Sequence, residues 1–248
     1  MNEARLFIDS VAGGAWNMAV DETLLETAAA TGQATLRFYQ WQEPTLSLGY
    51  FQSVADRQQH SGSLDCPLVR RASGGGAILH DRELTYSITL PQPTAAAALY
   101  DACHETLIAA LSELGVAASM VRQSASCKSD DSQTVPEPFL CFQRRTCSDI
   151  VCEEAKIVGS AQRRRRGAVL QHGSILLARS RFAPELPGIE DAAGIEMTTD
   201  ELVTRWTPRL AARLGLSFRE SGLSTSEHSR SEALSQGRFA SADHLERR

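Results

Sequence analysis

Three consecutive glycines, Gly74 to Gly76, interrupt the most strand-like part of this chain. Residues 68–90 read as strand, glycine loop, strand: LVRRA, then SGGGAILHD, then LTYSITL. A strand centre cannot hold such a run, because glycine gives up side-chain packing and costs the most backbone entropy to order. The same run lets a ligand lie close against main chain, with N–H groups turned toward it. Arg70 and Arg71 precede it and His80 and Asp81 follow. Leu84, Tyr86, Ile88 and Leu90 then alternate with Thr85, Ser87 and Thr89, which predicts a strand with one buried face. A glycine-rich hairpin turn and a phosphate cradle fit the spacing too.

The rest of the chain narrows the class. Its 248 residues are 42% hydrophobic and 22% charged, enough for one sizeable core. A net charge of -5 argues against a nucleic-acid binder. No apolar run approaches the roughly 18 residues a membrane span needs. The start, MNEARLFIDS, has acids and no apolar signal core, so a cytoplasmic location is the expectation. In that setting the six cysteines, 66, 103, 127, 141, 147 and 152, are expected as free or reactive thiols. None forms Cys-x-x-Cys, and the spacing of the last three fits no common zinc pattern, so no metal is expected.

Strand signals recur at 5–9, 35–41 and 46–50, and helical periodicity at 15–30, 95–114 and 200–214. Ser53 is placed to cap a short helix, Thr198 or Thr199 to cap the helix at 200, and Gly32, Gly115 and Gly215 to stop the long ones. Residues 123–138 are polar and read as an insertion rather than a lid. Four arginines, Arg163 to Arg166, then Gly167 between apolar runs suggest a hairpin tip. Residues 221–248 read as a polar tail, surface helix or partly disordered, after a single catalytic domain at 1–220. Strands and helices in mixed order argue for an α+β fold.

Lys156 begins an apolar, glycine-containing run, where an ammonium is costly without a partner or ligand. A strand-end lysine reaching to water fits the pattern as well. Cys141, between Leu140 and Phe142, reads as a small core residue until Arg144, Arg145 and Lys156 are counted; cations favour thiolate over thiol. His172 and His80 each fit either a substrate contact or a structural hydrogen bond.

Arg70 to Asp81 resembles the RRxSGGGxVxHD signature of the lipoate–protein ligase and octanoyltransferase superfamily. Lys156 to Arg163 is similar to its K-[IV]-x-G-[SN]-A-Q-x-R motif, and Leu170 to Leu176 to its LQHGSIL. The resemblance implies a central mixed β-sheet flanked by helices, shared with biotin–protein ligases, and acyl transfer onto a lysine. Ligase members activate the acyl group with ATP and Mg²⁺. LipM-type octanoyltransferases use a cysteine thioester and no cofactor, with the cysteine in a Cys-Phe segment ahead of the lysine, as Cys141-Phe142 stands here. Ser148-Asp149 replaces the ligases' Asn-Asp. The resemblance thus implies Cys141 and Lys156 as the catalytic pair. The substrate-binding wall would comprise Arg71, Ser73, Gly74, Gly75, Gly76, Ala77, His80, Gly159, Ser160, Ala161, His172 and Gly173. Octanoyl-acyl carrier protein would be the donor. Lipoyl-carrier domains, such as glycine cleavage H protein or dehydrogenase E2 subunits, would be acceptors. An ATP-dependent ligase and an amidotransferase between carrier domains are the alternatives. Arg163 to Arg166 with Arg144 and Arg145 would either dock acidic carriers or form a solvated tip.

Overall fold

The computed structural model describes residues 2–91, 96–121 and 137–247. The segment read as an insertion therefore lies almost wholly outside the described residues. Strands β1 (Asn2–Ile8), β2 (Thr35–Tyr39), β3 (Thr45–Leu48), β4 (Leu68–Arg70), β5 (Ile78–His80) and β6 (Glu83–Pro91) come first, with helix α1 (Gly14–Thr31) between β1 and β2. Helix α2 (Ala96–Glu113), β7 (Ala118–Met120), β8 (Ile150–Cys152), β9 (Ala155–Arg165) and β10 (Ala168–Leu176) follow. The chain closes with α3 (Ile189–Ala193), α4 (Thr199–Leu214), β11 (Leu216–Glu220), α5 (Thr225–Leu234) and α6 (Ala242–Leu245).

Eight strands form one mixed sheet in the order β11-β1-β2-β6-β10-β9-β8-β7, with β1 parallel to both its neighbours and the other pairs antiparallel. The α+β class and helix-flanked mixed sheet implied by the sequence are what the chain adopts. One face carries α2 and α4, whose Leu107, Leu111, Trp206 and Leu210 pack on Tyr86, Ile88, Val158 and Val169. Helix α4 is started by a Thr198–Glu201 capping box and ended at Gly215 in the left-handed region, φ 66°. The other face carries α1.

Two local expectations changed on folding. Strand β6 is buried on both faces, not one: Thr85, Ser87 and Thr89 are as buried as Leu84, Tyr86 and Ile88. Ser87 donates to Asp21 of α1 at 2.7 Å, and Trp41 donates to Thr85 at 2.9 Å. The polar face of the strand is thus matched by a buried polar side of α1 (Asn17, Asp21, Glu22, Thr23), so hydrogen bonding replaces exposure. The glycine stretch is likewise no hairpin. Strands β4 and β5 do not pair with each other; β3 lies between them, parallel to β4 and antiparallel to β5.

The segment read as a polar tail is helical and covers α1. Phe239 is fully buried, and Glu227 takes Arg5 Nη1 and Nη2 at 2.8 and 2.7 Å. Arg70, one of the arginines before the glycines, donates to the carbonyls of His244 and Leu245 in α6. The hairpin tip is as expected, with Arg166 and Gly167 turning β9 into β10. Two of its arginines are committed: Arg165 pairs with Glu22 and Glu26, and Arg163 donates to Ala72 O at 2.6 Å.

Candidate active site

Where β6, β9 and β10 meet the glycine loop, the β3-β4-β5 sheet and α1, a cavity opens. Cys141, Arg71, Gly74, Gly75, His80, Gly159, Ser160, Ala161, His172 and Gly173 all line it. Three sequence motifs far apart in the chain thus share one wall. Ser73, Gly76, Ala77 and Lys156 do not line it but stand behind those that do. Ile78 and Ser174, which fall inside two of the motifs, and Met18, Tyr39 and Thr85, which fall outside all three, complete the lining.

The glycine loop positions the cysteine directly. Ala77 N donates to Phe139 O at 2.9 Å, and Cys141 N donates to Ala77 O at 2.7 Å. Residues 139–141 therefore add to the loop as a short parallel bridge, and Cys141 begins a single 3-10 turn, Cys141–Gln143. Ala77's amide is consequently engaged with protein. A Cβ on Gly76 would come within 3.0 Å of Cys141 N and Phe139 O, so this glycine admits the cysteine's own backbone. Gly75, at φ 97°, needs the left-handed region. A Cβ on Gly49 would meet Gly75 O at 1.9 Å, so the loop also lies flat against the turn after β3.

Arg71 clamps this loop from behind. Its Nη1 donates to Ser47 O and Oγ at 2.8 and 2.9 Å, and its Nη2 to Gly74 O and Gly76 O at 3.1 and 2.8 Å. Its Nε is buried without a hydrogen-bond partner. Burial pulls this guanidinium down to about 10, against the opposing pull of nearby Cys141. It therefore keeps its positive charge at neutral pH.

Lys156 is buried and reaches the turn that carries Cys141 across β9. Its Nζ contacts Asp149 Oδ2 at 2.8 Å, Cys141 O at 3.1 Å, Arg144 O at 3.2 Å and Cys141 Sγ at 3.8 Å. An ammonium has three hydrogens, and three oxygens take them. The sulfur is the fourth and longest contact. A Cβ on Gly159 would stand 3.0 Å from Lys156 Cε, so that glycine leaves room for the lysine stem.

Two polar chains support the wall. Beneath Ser160, Gln171 Nε2 donates to Tyr86 OH at 2.9 Å, Tyr86 OH lies 2.8 Å from Ser160 Oγ, and Ser160 Oγ lies 2.7 Å from His104 Nε2. His104 Nδ1 is 2.5 Å from Ser148 O, which can only accept, so Nδ1 carries the proton and Nε2 accepts from Ser160. Burial lowers the His104 pKa, in keeping with a neutral ring. This chain fixes Ser148 beside Asp149, and so the carboxylate that holds Lys156. His80 is wedged between Ser47 Oγ and Glu83 Oε1, each at 2.7 Å, and stacks on Trp41 with centroids 3.8 Å apart. Burial lowers its pKa too, which suits a neutral wall residue. His172 lies between Ser73 Oγ at 2.5 Å and Asp21 Oδ2 at 3.6 Å.

With this geometry in place, comparison with known proteins is informative. The model of the lipoyl protein ligase A/B catalytic domain matches residues 14–181. The chain belongs to that family. An octanoyltransferase LipM from Kyrpidia tusciae is 32% identical over 264 aligned positions, covering 94% of this chain and 95% of that relative. An octanoyltransferase LipM from Brevibacillus brevis is 37% identical over 71% of this chain and 67% of its own length. In fold, the chain matches a structure described as a lipoate protein ligase from T. acidophilum with bound lipoic acid, at TM-score 0.81 and 21% identity, covering 99% of this chain and 100% of that one. It also matches a lipoate-protein ligase A bound with ATP, at TM-score 0.78 and 21% identity, covering 98% and 99%. Among the described residues no helix is long and apolar enough to cross a membrane.

Proposed function

We propose that this chain is an octanoyltransferase of protein lipoylation, moving an octanoyl group from acyl carrier protein to a lysine of a lipoyl-carrier domain through a thioester on Cys141. The observation that carries the reading is the half-buried Cys141 at the cavity wall, with Lys156 Nζ 3.8 Å from its sulfur, in a chain whose relatives are named octanoyltransferases. Cys141 Sγ attacks the carrier's thioester carbonyl; the new C–S bond replaces the old one, and the carrier leaves as a thiol. Exchange of one thioester for another is nearly isoenergetic, so this route draws on neither ATP nor Mg²⁺. The acceptor lysine then takes the acyl group as an amide.

The polar groups divide the work. Lys156 and Arg71 place positive charge beside the sulfur, where thiolate must form. Arg71 Nε, the donor left without a protein partner, is available to the acyl carbonyl as it gains negative charge. The backbone of Gly74 and Gly75 and of Gly159 to Ala161 walls the acyl chain, and His80 and Gly173 shape its bed. Glycine cleavage H protein and dehydrogenase E2 subunits are acceptors of the expected kind.

Intact mass spectrometry after incubation with octanoyl-acyl carrier protein tests the reading. One added octanoyl group, absent in Cys141→Ser, is the expected result. No adduct, together with ATP-dependent modification of a lipoyl domain, would replace it with the ligase reading.

A further inference from the structure

Amide formation in the second half-reaction poses a proton problem. The acceptor lysine arrives as an ammonium and must lose a proton before it can attack. Lys156 is poorly placed to take it, since its three hydrogens are already given to Asp149 Oδ2, Cys141 O and Arg144 O. His172, which lines the same cavity, stands in a buried line: Ser73 Oγ, then His172 Nε2 at 2.5 Å, then His172 Nδ1 facing Asp21 Oδ2 at 3.6 Å.

The charges behind that line are unequal. Arg37 is fully buried and meets two carboxylates, Asp9 at 2.6 Å and Asp21 at 2.8 Å. One guanidinium against two carboxylates leaves one negative charge in excess, beside an imidazole. Asp21 is kept ionised: burial opposes its charge, but His172, Arg37 and Ser87 outweigh that, and its pKa falls below the ordinary 3.8. Tyr39 OH also donates to Asp21, at 3.0 Å, and burial holds the phenol far above its usual pKa, so it stays a donor. An imidazolium at His172 would bring the cluster to neutrality.

We propose that His172, which lines the cavity and is backed by Asp21, accepts the proton of the incoming lysine in the second half-reaction. The proposal rests on the thioester reading above. The lysine ammonium gives one proton to His172 Nε2, taking the place of the Ser73 hydroxyl there. The neutral amine attacks the acyl carbonyl on Cys141, forming the C–N bond. The tetrahedral adduct collapses, the C–S bond breaks with its electron pair going to sulfur, and the nitrogen's second proton follows to give the Cys141 thiol. His172 then returns its proton to solvent.

Single-turnover measurement of the two halves tests this. Octanoyl-acyl carrier protein loads the enzyme, and a lipoyl domain or hydroxylamine unloads it. Hydroxylamine is already neutral at working pH and has no proton to surrender before attack. For His172→Gln, transfer to the lipoyl domain should fall about 10²-fold or more relative to loading, as removal of a general base does. Unloading by hydroxylamine should fall far less. Asp21→Asn, which keeps the imidazole and removes the carboxylate charge behind it, should show the same split and covers the case in which His172→Gln fails to fold. Equal slowing with both nucleophiles, or transfer at the wild-type rate, would overturn the proposal while leaving the thioester intact. If the wild-type protein never gains an octanoyl group on Cys141, the function reading itself fails and the proposal with it.

Discussion

Lys156 and Arg37 are both buried cations, yet they are held differently. Lys156 faces one carboxylate, Asp149, and two backbone carbonyls of the turn that carries Cys141. Its charge is balanced by one partner and its remaining hydrogens fix main chain. Arg37 faces two carboxylates, Asp9 and Asp21, with Asn17 O and Oδ1 filling its other donors. The first arrangement is neutral and holds the backbone of the Cys141 turn. The second is one charge short and faces an imidazole. A buried ion pair is weak grounds for stability, because desolvation offsets much of the attraction. What each centre orients is therefore the better guide to its role.

Breaking the lysine centre should have the largest effect. In Lys156→Met, loading of Cys141 should fall about 10²- to 10³-fold, and stability by roughly 3–5 kcal/mol, since Asp149 is left buried and unpaired. Adding Asp149→Asn should recover much of the stability in urea unfolding and little of the rate. Recovery of both would make Lys156 a scaffold only.

Arg37→Met should act mainly on stability, costing roughly 3–5 kcal/mol near neutral pH, with a smaller loss in loading rate. The sign of its pH dependence follows from Asp21. The folded pKa of Asp21 lies below 3.8, so the stability it contributes is present above that value and lost as pH falls through its folded pKa. Without Arg37 the carboxylates are destabilising when ionised. The gap between variant and wild type should therefore narrow below about pH 4. Denaturant melts across that range that run parallel would contradict the unequal-charge account.

Glu227→Gln supplies the smallest effect and the calibration. Burial opposes this carboxylate's charge, but Arg5 and Ser224 outweigh it and hold its pKa down to about 2. The pair ties α5 to β1 near the edge of the fold, where such contacts are worth up to about 1 kcal/mol. That contribution should be full above pH 4.5 and lost as pH falls toward 2. Hydrogen exchange in α5 should report it, with little change at Cys141.

Much of the site was legible in sequence because motifs are local. Residues 73–76, 156–163 and 170–176 each announce themselves by composition, and the cavity joins all three. Cys141 was separated from Cys66 and Cys103 by its charged neighbours, and those two are buried thiols whose pKa burial raises; Cys152 stood as a competitor in sequence, and it too is a buried thiol with a raised pKa. Asp21 and His104 gave no such signal. Each sits in a helix with ordinary periodicity, and only strand pairing 30 or more positions away turns them into partners of His172 and Ser160. The C-terminal segment was read as a polar tail for a related reason. Helix α5 has no strongly apolar face, so nothing in its pattern marks burial; Arg5, Thr23 and Thr27 supply polar partners instead.

Sequence alone determined that a glycine loop follows two arginines, that the chain alternates into an α+β sheet, and that one cysteine stands fifteen positions before a lysine in apolar surroundings. Those are properties of neighbouring residues, and local sterics and periodicity suffice to read them. Tertiary structure decided what the glycines approach. They admit the backbone of Cys141 and present their carbonyls to Arg71, with the cavity on their other side. It also decided that α1, with little sign of function in its sequence, brings Asp21 to His172. Such contacts form between segments far apart in the chain, and only the packing of α1 against β6 and β10 brings them within ion-pair range.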